Sequence, residues 1–366
     1  MNIIYRSDSS SKIGSGHVIR SLTLAEELKK KGVEITFISR AHKGNLNKFI
    51  HKKGINVVEL SKPKNYIFSK KNILEEDYKA WLGVSEEQDA NETLTVIGDK
   101  RPEWLIVDHY SIGEKWEKKM RPYVKNIMAI DDLDNRPHDC DLLLDQNYSS
   151  NDSARYKGKI PDKANCMFGP KFALLHPEYQ KIRQNLRLRN GKVKKVLIYF
   201  GGSDPQNLTS KTLQAFSQLE LESIFLDVVI GLNHPNKREI ETFCKYRKSS
   251  RCQTMLPNLA ELMAEADLFI GAGGTTTWER LCLGLPSIVI TTGKNQELTS
   301  KALYKDGYIQ YIGAVEKVTV KMIAESIRHI INSPKVLERQ SNNGKALVDG
   351  LGVQRVLKEL LNYEKN

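Results

Sequence analysis

The chain has 366 residues, of which 40% are hydrophobic and 27% charged, with a formal net charge of +12 and a mean hydropathy of −0.45. This length suits two globular domains, and no apolar run is long enough to cross a bilayer. Five scattered cysteines (Cys140, Cys166, Cys244, Cys252, Cys282), odd in number and without a CxxC pair, argue against a disulfide framework and a structural zinc cluster and fit a reducing cytoplasm.

Lysines run along the whole chain, as in Lys29-Lys30-Lys31, Lys70-Lys71 and Lys194-Lys195. Aromatic residues do not interleave with arginines, so the positive charge reads as a solvated surface and not as a nucleic-acid platform. The amino terminus enters a strand at once, without a basic stretch followed by an apolar one, and no secretory signal is expected.

Asn2-Ile3-Ile4-Tyr5 opens as a strand, followed by the polar turn Arg6–Ser11 and by Gly14-Ser15-Gly16-His17. Helical periodicity then runs to Lys31, with Leu22, Leu24, Ala25 and Leu28 on one side, until Gly32 stops it. Further strands are predicted at Glu34–Ser39, Asn56–Leu60, Trp104–Asp108, Lys125–Ile130 and Leu142–Leu144. Ser61–Gly98 is longer than the other crossovers and reads as a helical excursion or a flap. The polar, basic stretch Gln180–Lys194 reads as a hinge. Val196–Tyr199, Leu226–Ile230, Leu268–Ile270 and Ser287–Ile290 restart the strand pattern, with a helix at Leu208–Leu219. Pro334–Tyr363 is helical throughout, closing the second domain or crossing back to the first. Such alternation predicts an α/β chain of two Rossmann-like domains, residues 1–185 and 186–366, whose parallel sheets face a central cleft.

Four places carry chemistry. In the first loop, Gly14 and Gly16 permit a close backbone approach, and His17 stands at a helix start where a neutral imidazole is favoured. Gly271-Ala272-Gly273-Gly274-Thr275-Thr276 follows a strand and opens a helix. Its amides and the Thr275 and Thr276 hydroxyls suit a diphosphate, and Glu279, one turn on, suits a ribose. Asp108-His109-Tyr110 ends a strand at the edge where α/β sheets bind ligands. Gly201-Gly202-Ser203-Asp204 is an anion nest or a tight turn. Asp131, Asp132 and Asp134 fit a polar turn better than a metal site, because nothing nearby completes a ligand set.

Tyr5-Arg6-Ser7-Asp8-Ser9 through Ile13-Gly14-Ser15-Gly16-His17, together with Leu105–Tyr110 and Lys294-Asn295-Gln296-Glu297, resembles the UDP-2,4-diacetamido-2,4,6-trideoxy-β-L-altropyranose hydrolases. That family acts in pseudaminic acid biosynthesis and is related to the MurG-type glycosyltransferases of the GT-B fold. The resemblance implies that His17 activates water for attack on the anomeric carbon, with Tyr110 and Asn295 lining the sugar site. It further implies substrate contacts from Arg6, Asp8, Arg20, Asp108, Gly201, Gly202, Ser203 and Gln296, with Gly273–Thr276 at the pyrophosphate and Glu279 at the ribose. The uracil is expected near Met255-Leu256. The implied reaction is hydrolysis of a UDP-sugar with inversion, without cofactor or metal. Where transferases carry Gly-Gly-Thr-x-Gly-His, this chain has Lys12-Ile13-Gly14-Ser15-Gly16-His17, and no amphipathic docking helix is evident early on. Both features favour water as acceptor over the alternative, a GT-B glycosyltransferase. A UDP-sugar 2-epimerase and a non-catalytic binding module are weaker alternatives. The oligomeric state is left open.

Overall fold

The computed structural model describes residues 1–63, 75–149, 155–232, 234–254, 256 and 258–363. It divides into two units: Met1–Leu175 with Leu351–Asn366, and His176–Gly350.

The first unit runs β1 (Asn2–Ser7), α1 (Gly16–Lys30), β2 (Glu34–Arg40), α2 (Asn47–Lys52), β3 (Asn56–Leu60), α3 (Glu86–Ile97), β4 (Trp104–Asp108), α4 (Glu114–Met120), β5 (Asn126–Ile130), β6 (Leu142–Asp145) and β7 (Asn165–Phe168). Its sheet is parallel, in the order β3-β2-β1-β4-β5-β6-β7. Side chains alternate across the sheet, so both faces of a strand are buried when helices cover both. Ile3 and Tyr5 pack with Leu24 and Leu28 of α1. Ile4, one position out of phase, packs with Leu105, Trp116 and Ile127 on the opposite face. Helix α1 ends with Lys29 and Lys30 in its last turn and Gly32 at φ +80°, the left-handed conformation that closes a helix.

The second unit runs α5 (Pro177–Gln184), β8 (Lys195–Tyr199), α6 (Leu208–Gln218), β9 (Phe225–Ile230), α7 (Lys237–Tyr246), β10 (Ser250–Thr254), α8 (Ala260–Glu265), β11 (Leu268–Ala272), α9 (Thr276–Cys282), β12 (Ser287–Thr291), α10 (Glu297–Lys305), β13 (Gln310–Ala314), α11 (Val320–Ile331) and α12 (Pro334–Leu347). Its sheet is also parallel, ordered β10-β9-β8-β11-β12-β13.

One expectation about chain organisation needs correction. The Gln180–Lys194 stretch is anchored to the second unit by its arginines and is no free hinge. Arg183 donates to the carbonyls of Cys282 and Lys345 at 2.6 and 2.7 Å, and Arg189 to those of Met263 and Ala266 at 2.7 and 3.0 Å. A guanidinium that satisfies carbonyls at helix ends looks, in sequence, like a solvated linker. The division therefore falls at Leu175/His176 instead of after residue 185. Pro334–Tyr363 forms two helices, separated near Gly350 at φ +82°. The second, α13 (Gly352–Leu361), buries Val353, Val356 and Leu360 in the core of the first unit, and Trp104 Nε1 donates to the Leu360 carbonyl at 3.2 Å.

Part of the Ser61–Gly98 excursion, residues 64–74, lies outside the described residues. The remainder comprises the 3-10 turn Glu75–Leu82 and helix α3. Among the described residues no helix is long and apolar enough to cross a membrane.

Candidate active site

In the first unit, the carboxyl ends of β1 and β4 stand side by side, with Ser7 in register with Asp108. The loop after β1 folds on itself: the Gly14 amide donates to the Ser10 carbonyl at 2.9 Å, and Gly14 takes φ +84° with open space where a Cβ would stand. Helix α1 then begins at Gly16, which carries His17 onto the strand ends.

His17 is almost buried, with Nδ1 2.5 Å from Asp108 Oδ1. Arg20, one turn along α1, donates from Nε and Nη2 to the two oxygens of Asp108, both at 2.7 Å, and Ser21 Oγ adds a third donor at 3.0 Å. Burial alone would raise the Asp108 carboxyl, but the Arg20 guanidinium and the His17 imidazole hold it well below the usual carboxylate range. Asp108 is therefore ionised and can only accept. The proton between it and His17 must sit on Nδ1, which leaves Nε2 of the neutral ring as its acceptor. Arg20 Nη1 also donates to Asp132 Oδ2 at 2.8 Å.

Aromatic rings surround this pair. Tyr110 meets the His17 ring edge-on, with centroids 4.4 Å apart, and Trp81 stacks on Tyr110 at 5.5 Å.

Arg6 and Asp8, expected among the substrate contacts, are both fully buried. Arg6 grips Asp8 through two bonds of 2.6 and 2.9 Å and reaches Asp89 of α3 at 2.6 and 3.0 Å. Asp8 also accepts from the Arg40 amide at 2.7 Å, and His109 Nε2 lies 3.3 Å away. These charges neutralise one another inside the protein and serve as scaffold, because an enclosed ion requires a partner. Asp108 and Arg20, also expected to touch substrate, are paired with each other, and Asp108 with His17.

Asp131, Asp132 and Asp134 each meet a cation: Arg136 at 2.8 Å, Arg20 at 2.8 Å, and Lys159 at 3.0 Å respectively. Among the described residues no group of three or more histidine, cysteine or acidic side chains is placed to hold a metal ion.

In the second unit, β11 delivers the glycine loop to the head of α9. A Cβ on Gly271 would come 2.1 Å from the Tyr199 carbonyl oxygen, and one on Gly273 would come 2.7 Å from Ser300 Oγ. Only glycine lets this turn lie so close to β8 and α10. Gln296 clamps it, its Oε1 accepting from the Gly273 amide at 3.2 Å and the Thr292 amide at 3.0 Å. Gln296 and the Gly273 amide, both expected at the ligand, are thus bonded to each other. The amides that lead α9, those of Gly274, Thr275 and Thr276, belong to a helix start, where N–H groups lack intrahelical acceptors. The Thr275 side chain makes no cap hydrogen bond. Asn295 is half-buried in the short 3-10 turn Lys294–Gln296.

Glu279 is half-buried in the first turn of α9. Burial pushes its carboxyl up to about 7, against the pull of the Tyr179 hydroxyl and the Arg280 guanidinium. Gly201 and Gly202 are open at the end of β8, with Gly201 at φ +95°. Ser203 is exposed, while Asp204 turns inward and caps α6, accepting from the Leu208 and Thr209 amides at 3.0 and 2.8 Å. Leu256 is half-buried, and Met255 lies outside the described residues.

Sequence reasoning does not pair Asp132 with Arg20, and it places Trp81 and Asp89 in the Ser61–Gly98 excursion without a role at the site. Asp132 follows β5 at the same edge where Asp108 ends β4, a positional signal that could have been used. Trp81 sits in an excursion with no periodic pattern to assign it.

The description "Glycosyltransferase family 28 C-terminal domain" fits residues 196–354. An uncharacterized protein of Methanocaldococcus jannaschii is 28% identical over 89% of this chain, which spans 61% of that relative's length. The UDP-2,4-diacetamido-2,4,6-trideoxy-β-L-altropyranose hydrolase of Campylobacter jejuni is 31% identical over 84% of this chain and 98% of its own. The MurG crystal structure from Acinetobacter baumannii superposes with a TM-score of 0.66 at 12% identity, covering 98% of this chain and 99% of that one. The two parallel sheets of seven and six strands are those of the GT-B fold. The chain thus belongs to the UDP-2,4-diacetamido-2,4,6-trideoxy-β-L-altropyranose hydrolase family, among the nucleotide-sugar enzymes of the GT-B fold.

Proposed function

We propose that this enzyme hydrolyses a UDP-linked 2,4-diacetamido-2,4,6-trideoxy hexose of the altrose type to UDP and the free sugar, in the cytoplasm, for pseudaminic acid biosynthesis. The observation that carries the reading is the 2.5 Å contact of His17 Nδ1 with an ionised Asp108. It fixes the tautomer in which Nε2 can accept a proton from water. The water oxygen then bonds to the anomeric carbon as the bond to the UDP oxygen breaks from the opposite face. The electron pair leaves with UDP, the water proton passes to His17, and the anomeric centre inverts. Tyr110 and Asn295 border the sugar. The amides of Gly274–Thr276 and the Thr275 and Thr276 hydroxyls bear the growing diphosphate charge, helped by the open Gly201–Ser203 turn. Glu279 accepts from the ribose hydroxyls, and the uracil rests near Met255-Leu256.

This mechanism assigns no step to a metal, so turnover is expected to persist in excess chelator. Loss restored only by a divalent ion would overturn that part. The decisive experiment is turnover in heavy-oxygen water followed by NMR and mass spectrometry. Label on the sugar's anomeric oxygen is expected, and label in UDP would mean attack at phosphorus. The match of residues 196–354 to a transferase domain favours a second reading, transfer of the sugar to an acceptor. Turnover only with added acceptor would establish it.

A further inference from the structure

Of the four tryptophans, Trp104, Trp116 and Trp278 are at most 2% exposed, whereas Trp81 is only half-buried. It stands on the excursion between β3 and β4, beside the proposed base. Its ring lies 6.2 Å from that of His17 at 80°, is stacked on Tyr110 at 25°, and meets Tyr78 edge-on at 4.9 Å. Tyr78 and Tyr110 are themselves buried and in contact at 5.2 Å. A half-buried indole set among aromatic rings beside a histidine offers apolar surface to a ligand.

The described residues on either side of Trp81 are tied to the body of the unit. Ser111 Oγ donates to the Tyr78 carbonyl, and Leu82 is buried in the core. On α3, Asp89 accepts from Arg6, from Arg40 at 2.6 Å and from Trp116 Nε1 at 3.1 Å. The same Arg6 grips Asp8 under the catalytic loop. The wall and the base therefore share one buried ionic anchor.

We propose that Trp81 is the specificity wall of the sugar subsite, stacking on the deoxygenated, N-acylated face of the sugar and disfavouring its 6-hydroxylated counterpart. The inference rests on the hydrolase reading above. A methyl group against these rings loses nothing, whereas a hydroxyl there gives up water without a matching partner. An apolar wall discriminates against an added hydroxyl by about 100-fold at most.

The test uses the full-length enzyme and the variants Trp81→Ala and Trp81→Phe. Each is assayed with the UDP-diacetamido-trideoxy hexose and with its 6-hydroxylated analogue, and UDP affinity is measured by calorimetry. Trp81→Ala is expected to lower kcat/KM for the trideoxy sugar about tenfold or more, chiefly through KM, and to narrow the preference over the analogue. Trp81→Phe should recover most of both, with UDP affinity unchanged throughout. Unaltered kcat/KM and preference in Trp81→Ala would overturn the proposal, as would equal loss of UDP affinity in both variants. If the wild type turns over neither sugar, the hydrolase reading fails by itself. The gain in affinity from UDP to UDP-sugar then decides: its disappearance in Trp81→Ala supports the wall, and its persistence overturns it.

Discussion

Arg20 holds Asp108 by both carboxylate oxygens at 2.7 Å, and in doing so fixes the direction from which Asp108 receives His17. A bidentate guanidinium allows the carboxylate little rotation. Replacement of Asp108 by Asn keeps the shape but can present an amide N–H to His17, reversing the imidazole tautomer. In serine proteases, where a buried aspartate orients a histidine in the same way, that change costs about 10⁴-fold in kcat. Asp108→Asn is expected to lower kcat by about 100-fold or more here, with UDP affinity by calorimetry unchanged. Full activity in the variant would remove Asp108 from the mechanism.

His17→Ala removes the proposed base. A positioned general base contributes about 10²- to 10⁴-fold, so steady-state kcat should fall by that range. UDP binding, assigned to the second unit, should stay within about twofold, and a parallel loss of both would make His17 a structural residue.

Glu279→Ala should weaken UDP binding about tenfold to 100-fold, as expected when hydrogen bonds to a charged group are lost. The Glu279 carboxyl is pushed up to about 7 by burial, so it is ionised above that pH and protonated below it. Affinity for UDP is therefore expected to fall as pH drops through about 7, and Glu279→Gln should flatten the profile. A titration identical in Glu279→Gln would assign the pH dependence to another group.

Stability of the first unit should decline on the alkaline side. Burial alone would lower the imidazole of His138, but Glu117, 2.7 Å from its Nδ1, and Asp131 raise it to about 9. Burial raises Asp145 to about 8, against the pull of Arg155. In both cases the folded chain binds more protons than the unfolded one, so stability decreases as pH rises. The His138 contribution is complete below about pH 6.5 and gone above about 9, a difference on the order of 3 kcal/mol. Denaturant titrations at pH 6 and 9 should reveal it, and His138→Gln should be the less pH-dependent protein. Greater stability of the wild type at pH 9 than at pH 6 would contradict the sign.

The strand–loop–helix that carries His17 was legible because each level pointed the same way: apolar Ile3, Ile4 and Tyr5, a glycine pair, then an apolar stripe ended by Gly32. Edge strand β10, Ser250–Thr254, was not, because an edge strand needs no apolar run, and Ser-Arg-Cys-Gln-Thr carries none. The pairing of Arg20 with Asp132 is hidden by a sequence separation of 112. Arg6 and Asp8 mark the opposite limit. They stand inside a family motif that points to substrate, yet their side chains are enclosed with Asp89, and a motif alone does not distinguish a contact from the scaffold under it.

The helix Gly352–Leu361 belongs to the core of the first unit although the whole second unit precedes it in the chain. During synthesis the second unit, a continuous stretch, is complete while the first still lacks a wall. The α1 face that will receive Val353, Val356 and Leu360 stays open to water until those residues leave the ribosome. The unit bearing His17 and Asp108 is thus the last to close, and it is the one that a chaperone or a protease meets unfinished.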